Sequence, residues 1–342
     1  MKKLNILITG GAGFIGSHLA NRLHTMGHHV SVIDNLATGF KESLFLGIQF
    51  FQVDLCNFPD SDHAFQQLKK IDVVFHFASL INVKESCEQP EQYFQNNLNS
   101  LKTILELCKK YECNNFVLAS SGSVYGQQKD LLPFQEGVAL NPVSPYSESK
   151  VRSEEFLKLY KGHRNFKSVI LRFSNVAGSA LNLSNGQRTA RPYHVFHQAS
   201  INQVKAAGQH VVFGCDYPTV DGTAIRDFIH IEDLVSLNIR VMNHLLVVSS
   251  SQIRTFNAGA DLPMSVLEVF NTMNGLFHSQ YKQKEILFSA RRIGDPAYLV
   301  SDSRLIKNTY TWMPQWTTKN FIAASSVRWL EKLRSTSLEP SL

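Results

Sequence analysis

The chain has 342 residues, 44% of them hydrophobic, so it can bury a large core in one big domain or two modest ones. No apolar run reaches the roughly 18 residues of a membrane-spanning helix, and the N-terminus shows no signal-peptide pattern, so we expect neither membrane insertion nor secretion. The net charge of +6 comes from scattered basic pairs, and this distribution disfavours nucleic-acid binding. An anionic small-molecule ligand is enough to account for the positive charge. Five cysteines without CxxC indicate neither a disulfide framework nor a zinc site, so we expect a cytoplasmic protein without a metal centre.

The first predicted element is a strand at residues 4–8, which breaks into the glycine-rich stretch TGGAGFIG at residues 9–16. Gly11, Gly13 and Gly16 fit GxGxxG, and Gly10, Gly13 and Gly16 fit GxxGxxG; both patterns let the backbone approach a pyrophosphate at a helix start. A second strand at residues 30–33 ends in Asp34, about 20 residues on, where a carboxylate can accept hydrogen bonds from an adenine ribose. This carboxylate would repel a 2′-phosphate, and no arginine follows it closely. The stretch therefore predicts NAD binding in preference to NADP, and disfavours a plain glycine-rich turn.

Further strand-like runs follow at residues 50–54, 73–78, 116–121 and 169–173, separated by helix-like stretches. Continuous apolar strands alternating with helices predict an α/β fold with a parallel sheet covered on both faces. Ligands bind beyond the carboxyl ends of such strands, where Asp54, Ser120, Ser121 and Asn175 fall. We expect Asp54 to contact the adenine half of the cofactor, with a loop-capping role as the alternative.

Tyr146 and Lys150 lie four residues apart in the segment SPYSESK at residues 144–150. Residues at this spacing share one helix face, so the ammonium can sit beside the phenol. A nearby cation lowers the pKa of the tyrosine and makes it a usable proton acceptor in alcohol oxidation. The spacing alone is also typical of an ordinary helix surface, and the dinucleotide motif favours the catalytic interpretation.

After residue 175 the alternation weakens into loops, short helices and a turn-rich stretch at residues 216–223. We therefore predict an NAD-binding domain at residues 1–175 and a smaller substrate-binding region at residues 176–334, partly interleaved with it. Residues 335–342 are predicted to form a disordered tail.

A series of motifs gives the chain a family resemblance over nearly its whole length. They are TGGAGFIGSH at 9–18, IDNL at 33–36, VDL at 53–55, HFA at 76–78, NN at 96–97, SSGSVYG at 120–126, SPYSESK at 144–150, GCDYPTVDGTAIRDFIHIEDL at 214–234 and RRIGDPA at 291–297. With them the chain resembles the extended short-chain dehydrogenase/reductases and, among these, the UDP-glucose (UDP-galactose) 4-epimerase family. The block at 214–234 is the most specific. The Ser-Thr-Asp-Glu string of the related dehydratases is absent, since Gly122-Ser123-Val124 stands in its place.

The resemblance implies a Rossmann-type, doubly wound parallel sheet with a smaller mixed α/β substrate-binding C-terminal region, and a homodimer. It implies Tyr146 as the base, Lys150 as the ribose-bound cation, and Ser121, helped by Ser123, as the partner of the sugar 4-hydroxyl. The implied NAD-binding residues are Gly10, Gly13, Phe14, Ile15, Gly16, Asp34, Asn35, Asp54, Leu55, Phe77, Ala78, Asn96, Ser120, Tyr146, Lys150 and Phe173. The implied substrate-binding residues are Ser121, Tyr146, Asn175, His194, Arg226, Arg292, Asp295 and Leu299.

The arginines in this set suit a diphosphate, because a guanidinium fork matches its geometry and keeps its charge. The alternative for Arg226 is a surface ion pair with Asp227. Leu299 aligns with a gate position, where a bulky tyrosine tends to exclude N-acetyl groups and a small residue tends to admit them.

The sequence departs from the family pattern in several places. Ile81 replaces a lysine that many of these epimerases place against the NAD pyrophosphate, so we expect looser NAD retention. Phe173-Ser174 replaces the usual Tyr-Phe, and His194 falls where an asparagine commonly lies near the uridine. The glycine-plus-acidic segment that normally follows is rewritten at residues 179–188. These changes bear on nucleotide contacts, NAD retention and sugar preference.

The predicted reaction is reversible C4 epimerisation of a UDP-hexose: hydride passes from sugar C4 to NAD while Tyr146 takes the 4-hydroxyl proton. The transient 4-keto sugar rotates about its diphosphate linkage, and return of the hydride to the opposite face inverts the centre. Three alternatives stay open: a UDP-N-acetylglucosamine 4-epimerase or an epimerase of another nucleotide sugar, a nucleotide-sugar dehydratase or decarboxylase, and a silent NAD-sensing binding protein.

Overall fold

The computed structural model describes residues 2–128, 131–160, 165–188 and 194–336. The strands are β1 (Asn5–Thr9), β2 (His29–Asp34), β3 (Gln49–Gln52), β4 (Val73–His76), β5 (Asn115–Ser121), β6 (Lys167–Phe173), β7 (Asn175–Ala177), β8 (His210–Phe213), β9 (Ile225–His230), β10 (Gln252–Ala258), β11 (Pro263–Ser265), β12 (Ile286–Ser289) and β13 (Tyr298–Leu299). The helices are α1 (Phe14–Thr25), α2 (Phe58–Gln66), α3 (Val83–Glu88), α4 (Pro90–Lys110), α5 (Pro145–Leu159), α6 (Val195–Val204), α7 (Ile231–Val247), α8 (Val266–Leu276), α9 (Arg304–Tyr310) and α10 (Lys319–Ser335).

The central sheet has seven strands in the order β10-β6-β5-β4-β1-β2-β3, and every neighbouring pair is parallel. Its two faces carry separate apolar cores, because successive strand residues point to opposite sides. On one face Ile8 packs with Leu19 of α1 and Leu234 of α7. On the other face Leu7 belongs to the core that contains Ile104 of α4. The predicted parallel sheet with helices on both faces is confirmed.

The seventh strand of the central sheet comes from the C-terminal half of the chain. β10 lies beside β6 in parallel register from Gln252 and Lys167 to Ala258 and Phe173. The sequence pattern did not reveal this strand, because it lies at the sheet edge and its first four residues are only half-buried. Strand β10 thus ties the segment after residue 175 to the first half of the fold.

The remaining strands form a smaller layered unit beside the carboxyl end of β6. β9 pairs with β7, β11 and β13, and β8 pairs with β12. Helices α6, α8 and α10 enclose a third apolar core against these strands, with Phe196, Phe228 and Met273 buried in it. This unit places the loops after residue 175 next to the carboxyl ends of the central strands.

The C-terminal helix extends slightly into the segment predicted to be disordered. α10 ends at Ser335, and the hydroxyl of Thr336 donates to the Leu333 carbonyl at 2.9 Å. Residues 337–342 lie outside the described residues. The described helices include none that is long and apolar enough to cross a membrane.

Candidate active site

The turn after β1 has a backbone that only glycine can supply. Gly10 has φ +65°, and a Cβ atom there would lie 2.5 Å from the Ala78 backbone nitrogen. A Cβ on Gly16 would lie 2.3 Å from the Gly10 carbonyl oxygen, so the helix and the turn pack backbone to backbone. Gly13 precedes α1 without a side-chain cap, which leaves the first amide groups of the helix, from Phe14 and Ile15, directed at an incoming anion. This cradle fits the diphosphate of a dinucleotide.

Asp34 lies at the end of β2 beside this turn. Its carboxylate accepts hydrogen bonds from the backbone N–H groups of Ala12 at 2.9 Å and Leu36 at 2.8 Å. The residue is 8% exposed, and burial raises its pKa while the two backbone bonds oppose that rise. The carboxylate is therefore fixed against the glycine turn, where it fits a ribose diol better than a phosphate.

Asp54 takes the loop-capping role that the sequence offered as the alternative, and it also contacts a second predicted cofactor residue. The side chain accepts from the Cys56 backbone N–H at 2.8 Å, which caps the turn after β3. Its other oxygen accepts from the Asn35 amide at 3.3 Å, which joins it to the ribose side of the cradle. Leu55 is buried beneath this turn, and the Asn96 amide lies 3.8 Å from the Cys56 sulfur. The predicted NAD-binding residues Asn35, Asp54, Leu55 and Asn96 thus lie close together at one edge of the sheet.

Two aromatic residues line the carboxyl ends of the middle strands. Phe77 follows β4, and its ring centre lies 6.1 Å from that of Phe173 at the end of β6, in an edge-on arrangement. Ala78 follows directly and contacts Gly10, as the glycine geometry above requires. Together they form an apolar wall beside the cradle.

The tyrosine and lysine pair lies on the first turns of α5. Ser144 caps this helix by accepting from the Ser147 N–H at 3.2 Å, and Pro145 occupies its first position. The Lys150 ammonium lies 6.0 Å from the Tyr146 ring centre and donates to the Ala119 carbonyl of β5 at 3.0 Å. Helix α5 therefore presents both side chains to the carboxyl end of β5.

The two serines of the predicted site lie at the end of β5, which is Ser121, and in the short turn that follows it, which contains Ser123. The Ser121 side chain lies beside the Tyr146 phenol, and its hydroxyl accepts from the Ser123 N–H at 3.2 Å. Burial raises the pKa of Tyr146, and the Ser121 side chain opposes it; burial lowers the pKa of Lys150 to about 8. The Ser123 hydroxyl is buried and has no hydrogen-bond partner within the described residues. This arrangement can hold a sugar hydroxyl between Ser121, Ser123 and Tyr146.

The alternative ion pair of Arg226 with Asp227 is wrong. Arg226 is 8% exposed and pairs with Asp295, and it also donates to the Pro296 carbonyl at 2.8 Å. Asp227 is buried and accepts from the Ser174 hydroxyl at 2.6 Å instead. Adjacent residues of β9 point to opposite faces, so their side chains cannot meet.

The other predicted substrate residues lie in the smaller unit that contains Arg226. Leu299 of β13 is its register partner on β9, and Asn175 donates to a β9 carbonyl at 3.3 Å. Arg292 stacks 3.8 Å over the Phe213 ring, and burial lowers its pKa. His194 occupies the position directly before α6, and burial lowers its pKa to about 4, so the imidazole is neutral at pH 7. The smaller unit thus carries two guanidinium groups and a neutral imidazole.

The rewritten segment at residues 179–188 packs on the cofactor cradle. The Asn185 amide donates to the Ser17 hydroxyl on α1 at 2.8 Å, and the Arg188 guanidinium stacks 4.8 Å over the Phe40 ring. Phe40 in turn donates its backbone N–H to the Ala12 carbonyl at 3.0 Å. No sequence pattern indicates that an arginine distant in the chain lies near the Asp34 loop. Ile81, by contrast, is 39% exposed.

One structural residue of the NN motif was missed by sequence reasoning. Asn97 is buried, and its side chain donates to the Ser149 hydroxyl at 2.9 Å and accepts from the Leu80 N–H at 2.8 Å. It thereby fixes α4 and the loop after β4 against the catalytic helix. Its place inside an amphipathic helical pattern, on the buried face, was the available signal.

Comparisons with known proteins agree with this geometry. The model of the NAD dependent epimerase/dehydratase family matches residues 6–259. The UDP-glucose 4-epimerase of Lacticaseibacillus casei is 32% identical over 331 residues, covering 96% of this chain and 97% of that protein. The chain therefore belongs to the NAD dependent epimerase/dehydratase family.

Solved structures show the same similarity in three dimensions. The UDP-glucose 4-epimerase of Bifidobacterium longum, in complex with NAD+ and UDP, superposes with a TM-score of 0.87 at 28% identity, covering 96% of this chain and 98% of that one. The UDP-Glc/GlcNAc 4-epimerase of Campylobacter jejuni gives a TM-score of 0.79 at 32% identity, covering 96% and 99%. These matches confirm the family resemblance, the fold class and the prediction of an NAD-dependent isomerase of the UDP-glucose 4-epimerase type.

Proposed function

We propose that the protein interconverts UDP-glucose and UDP-galactose by inversion at C4, with NAD as its resident cofactor. The observation that carries this proposal is the junction of two features: the glycine cradle with Asp34, and the cluster of Ser121, Tyr146 and Lys150 at the carboxyl ends of the same sheet. A binding protein that only senses NAD would have no use for a buried phenol beside an ammonium.

The cofactor, when bound, supplies the hydride acceptor and donor for sugar C4, and the protein residues manage the proton and the orientation. Tyr146 accepts the 4-hydroxyl proton and later returns it. Ser121 lies beside the phenol and can hold the same sugar hydroxyl, while Ser123 brings a hydroxyl without a partner in the described structure. The Lys150 ammonium lies 6.0 Å from the phenol ring centre, and a positive charge on this side of the site favours the phenolate over the neutral phenol.

The substrate must be held firmly at its diphosphate and loosely at its sugar, because the 4-keto sugar has to rotate and present its opposite face between the two hydride transfers. Arg226 and Arg292 supply the firm contact, since guanidinium groups bind diphosphate oxygens in pairs. Arg226 is anchored by Asp295 and the Pro296 carbonyl, so its position is set before a ligand arrives. At the sugar end the side chains are small hydroxyls and Leu299.

Epimerisation of the N-acetylated pair is a second candidate, favoured by the residue at position 299. Leu299 is half-buried and contacts the apolar cluster of Val124, Tyr125 and Phe134 beside the Ser123 turn. A leucine has no polar tip and can move aside, so an acetamide would pass at modest cost. Separate incubations with UDP-glucose and UDP-N-acetylglucosamine, with the products resolved by chromatography, test both candidates: UDP-galactose should dominate, and no product from either would refute the proposal.

A homodimer and a cytoplasmic location complete the proposed assignment. Both were predicted from the sequence, and the reduced state of the five cysteines is compatible with a reducing compartment. Light scattering on the purified protein checks the assembly: twice the chain mass of 38.6 kDa is expected, and a monomer at micromolar concentration would contradict it.

A further inference from the structure

A buried ion pair lies directly behind the catalytic residues. Glu154 lies on α5, and its side chain is 0% exposed; Arg172 lies on β6, with its side chain 3% exposed. The guanidinium donates through Nε to one carboxylate oxygen at 2.9 Å and through Nη2 to the other at 2.7 Å. The pair is therefore bidentate and shielded from water.

Stability alone does not account for this pair. Two charges in the interior lose their hydration, and well-packed apolar residues of similar volume are often as stable or more so. Here the remaining hydrogen-bonding groups are used as well: the Ser120 hydroxyl donates to Glu154 at 2.6 Å, and Arg172 donates to the Tyr125 hydroxyl at 2.8 Å. Because the polar groups of this network have hydrogen-bond partners, the network favours a single arrangement of the helix and strands that carry them.

The network reaches both segments that carry the catalytic groups. Ser120 directly precedes Ser121 on β5, and Tyr125 ends the short 3-10 turn that contains Ser123. Glu154 follows Lys150 by one helical turn, on the same face of α5. The ion pair thus joins the serine segment, the tyrosine helix and β6 at one point.

Glu154 is also the carboxylate that acts on Lys150. The other titratable groups near this lysine are Tyr146 on its own helix and His76 on β4, whose pKa is lowered to about 3 by burial and by Lys150, so His76 carries no charge at pH 7. Burial lowers the pKa of Lys150, and the negative charge of Glu154 opposes that change. Without this charge the ammonium would lose its proton at a lower pH.

The charged groups that face Glu154 itself are Arg172 from β6 and Lys158, whose ammonium lies 3.3 Å away on the same helix. They hold the pKa of Glu154 below its usual range despite burial, so the carboxylate is ionised throughout the working pH range. Its effect on Lys150 is therefore constant between pH 6 and pH 9.

We propose that Glu154 is a positioning residue for the epimerisation, holding Ser121, Tyr146 and Lys150 in register through Arg172 and Ser120 and keeping Lys150 protonated. This inference rests on the proposed function, since its readout is turnover. The Glu154 side chain is 0% exposed, so a bound substrate or cofactor has no access to it. Its loss should therefore lower kcat and alter the pH profile while leaving KM nearly unchanged.

The test compares Glu154→Gln with Glu155→Gln, the same substitution one residue on, at an exposed position of the same helix. The glutamine at 154 keeps the volume and one acceptor oxygen. We expect the alkaline limb of its kcat profile, near pH 8 in the wild type, to move down by about one pH unit or more, and kcat at pH 8 to fall at least about fivefold. The 155 variant should match the wild type.

A double variant, Glu154→Met with Arg172→Met, separates positioning from folding. It leaves no unpaired buried charge, so it should fold even if Glu154→Gln does not. Recovery of the wild-type profile and kcat in the double variant would overturn the inference, as would an unshifted profile in a folded Glu154→Gln protein. An inactive wild type would instead refute the proposed function and this inference with it, whereas an active wild type with an unaffected Glu154→Gln variant would refute the inference alone.

Discussion

The phenol of Tyr146 offers the sharpest mutational prediction. Tyr146→Phe removes one hydroxyl from a side chain that is 9% exposed and leaves the ring packing intact. The hydroxyl can hydrogen-bond to the Ser121 side chain, and a single such bond contributes about 0.5–1.5 kcal/mol net, so the unfolding free energy should fall by at most about 1 kcal/mol. Turnover should fall by at least roughly 10²–10⁴-fold, because a positioned proton acceptor is lost. NAD content should stay unchanged.

Tyr160→Phe is the matched control for this variant. Tyr160 caps the same helix at its far end, and its hydroxyl donates to the Leu105 carbonyl at 2.9 Å, so the control also loses one partly buried hydrogen bond. Urea unfolding should show similar losses for both variants, while conversion of UDP-galactose, followed by chromatography, should fail for Tyr146→Phe alone. Near-normal turnover by Tyr146→Phe would refute the assignment of the base.

Three further predictions follow from the cofactor cradle, the sugar gate and the buried histidines. Protein denatured and analysed by mass spectrometry should release NAD or NADH, because a 2′-phosphate would meet the buried Asp34; recovery of mainly NADP would overturn this. Leu299→Tyr should suppress activity on the N-acetylated pair, and Leu299→Ser should raise it. The change in activation free energy should be about 1–3 kcal/mol, the range over which apolar pockets discriminate such groups. An unchanged ratio of the activities on the two substrate pairs would point to the 179–188 segment as the gate. The melting temperature should drop between pH 7 and pH 5, because these histidines have pKa values of about 3 or 4 in the folded protein and about 6.5 in the unfolded chain. As the pH falls, the unfolded chain therefore binds more protons than the folded protein. This difference lowers the free energy of unfolding by up to about 2 kcal/mol for each histidine at pH 5. The groups concerned are His18, His76, His194, His197, His210 and His230. A melting temperature independent of pH in this range would contradict their burial as neutral rings.

Local patterns were enough to predict the first half of the fold. These strands are continuous apolar runs, such as the one that ends at Asp34, and each run is bounded by glycine and polar residues. The backbone preferences of such bounding residues depend on their neighbours in the chain, so they can be recognised in the sequence. Strand β10 escaped because an edge strand is half-solvated, and its sequence QIRTFNA has no strong period. Tertiary pairing with β6, 79 residues or more away in the chain, decides its conformation.

Those parts of the candidate site that lie within one short segment of the chain could be predicted from the sequence. Tyr146 and Lys150 share a helix turn, and their relation is fixed by helix geometry. The pairing of Arg226 with Asp295, and the packing of Asn185 on α1, join positions 69 and 168 residues apart. No local pattern encodes such contacts. Arg172 was nevertheless visible as a charge within an apolar strand, a signal that a buried partner must exist.

The most direct test of the proposed reaction is the fate of hydrogen at sugar C4. The protein is incubated with UDP-galactose in D₂O, and the products are followed by proton NMR. Return of the same hydride within a closed site predicts UDP-glucose that keeps protium at C4, without deuterium from the solvent. Deuterium at C4, or no interconversion by protein that carries NAD, would contradict the account.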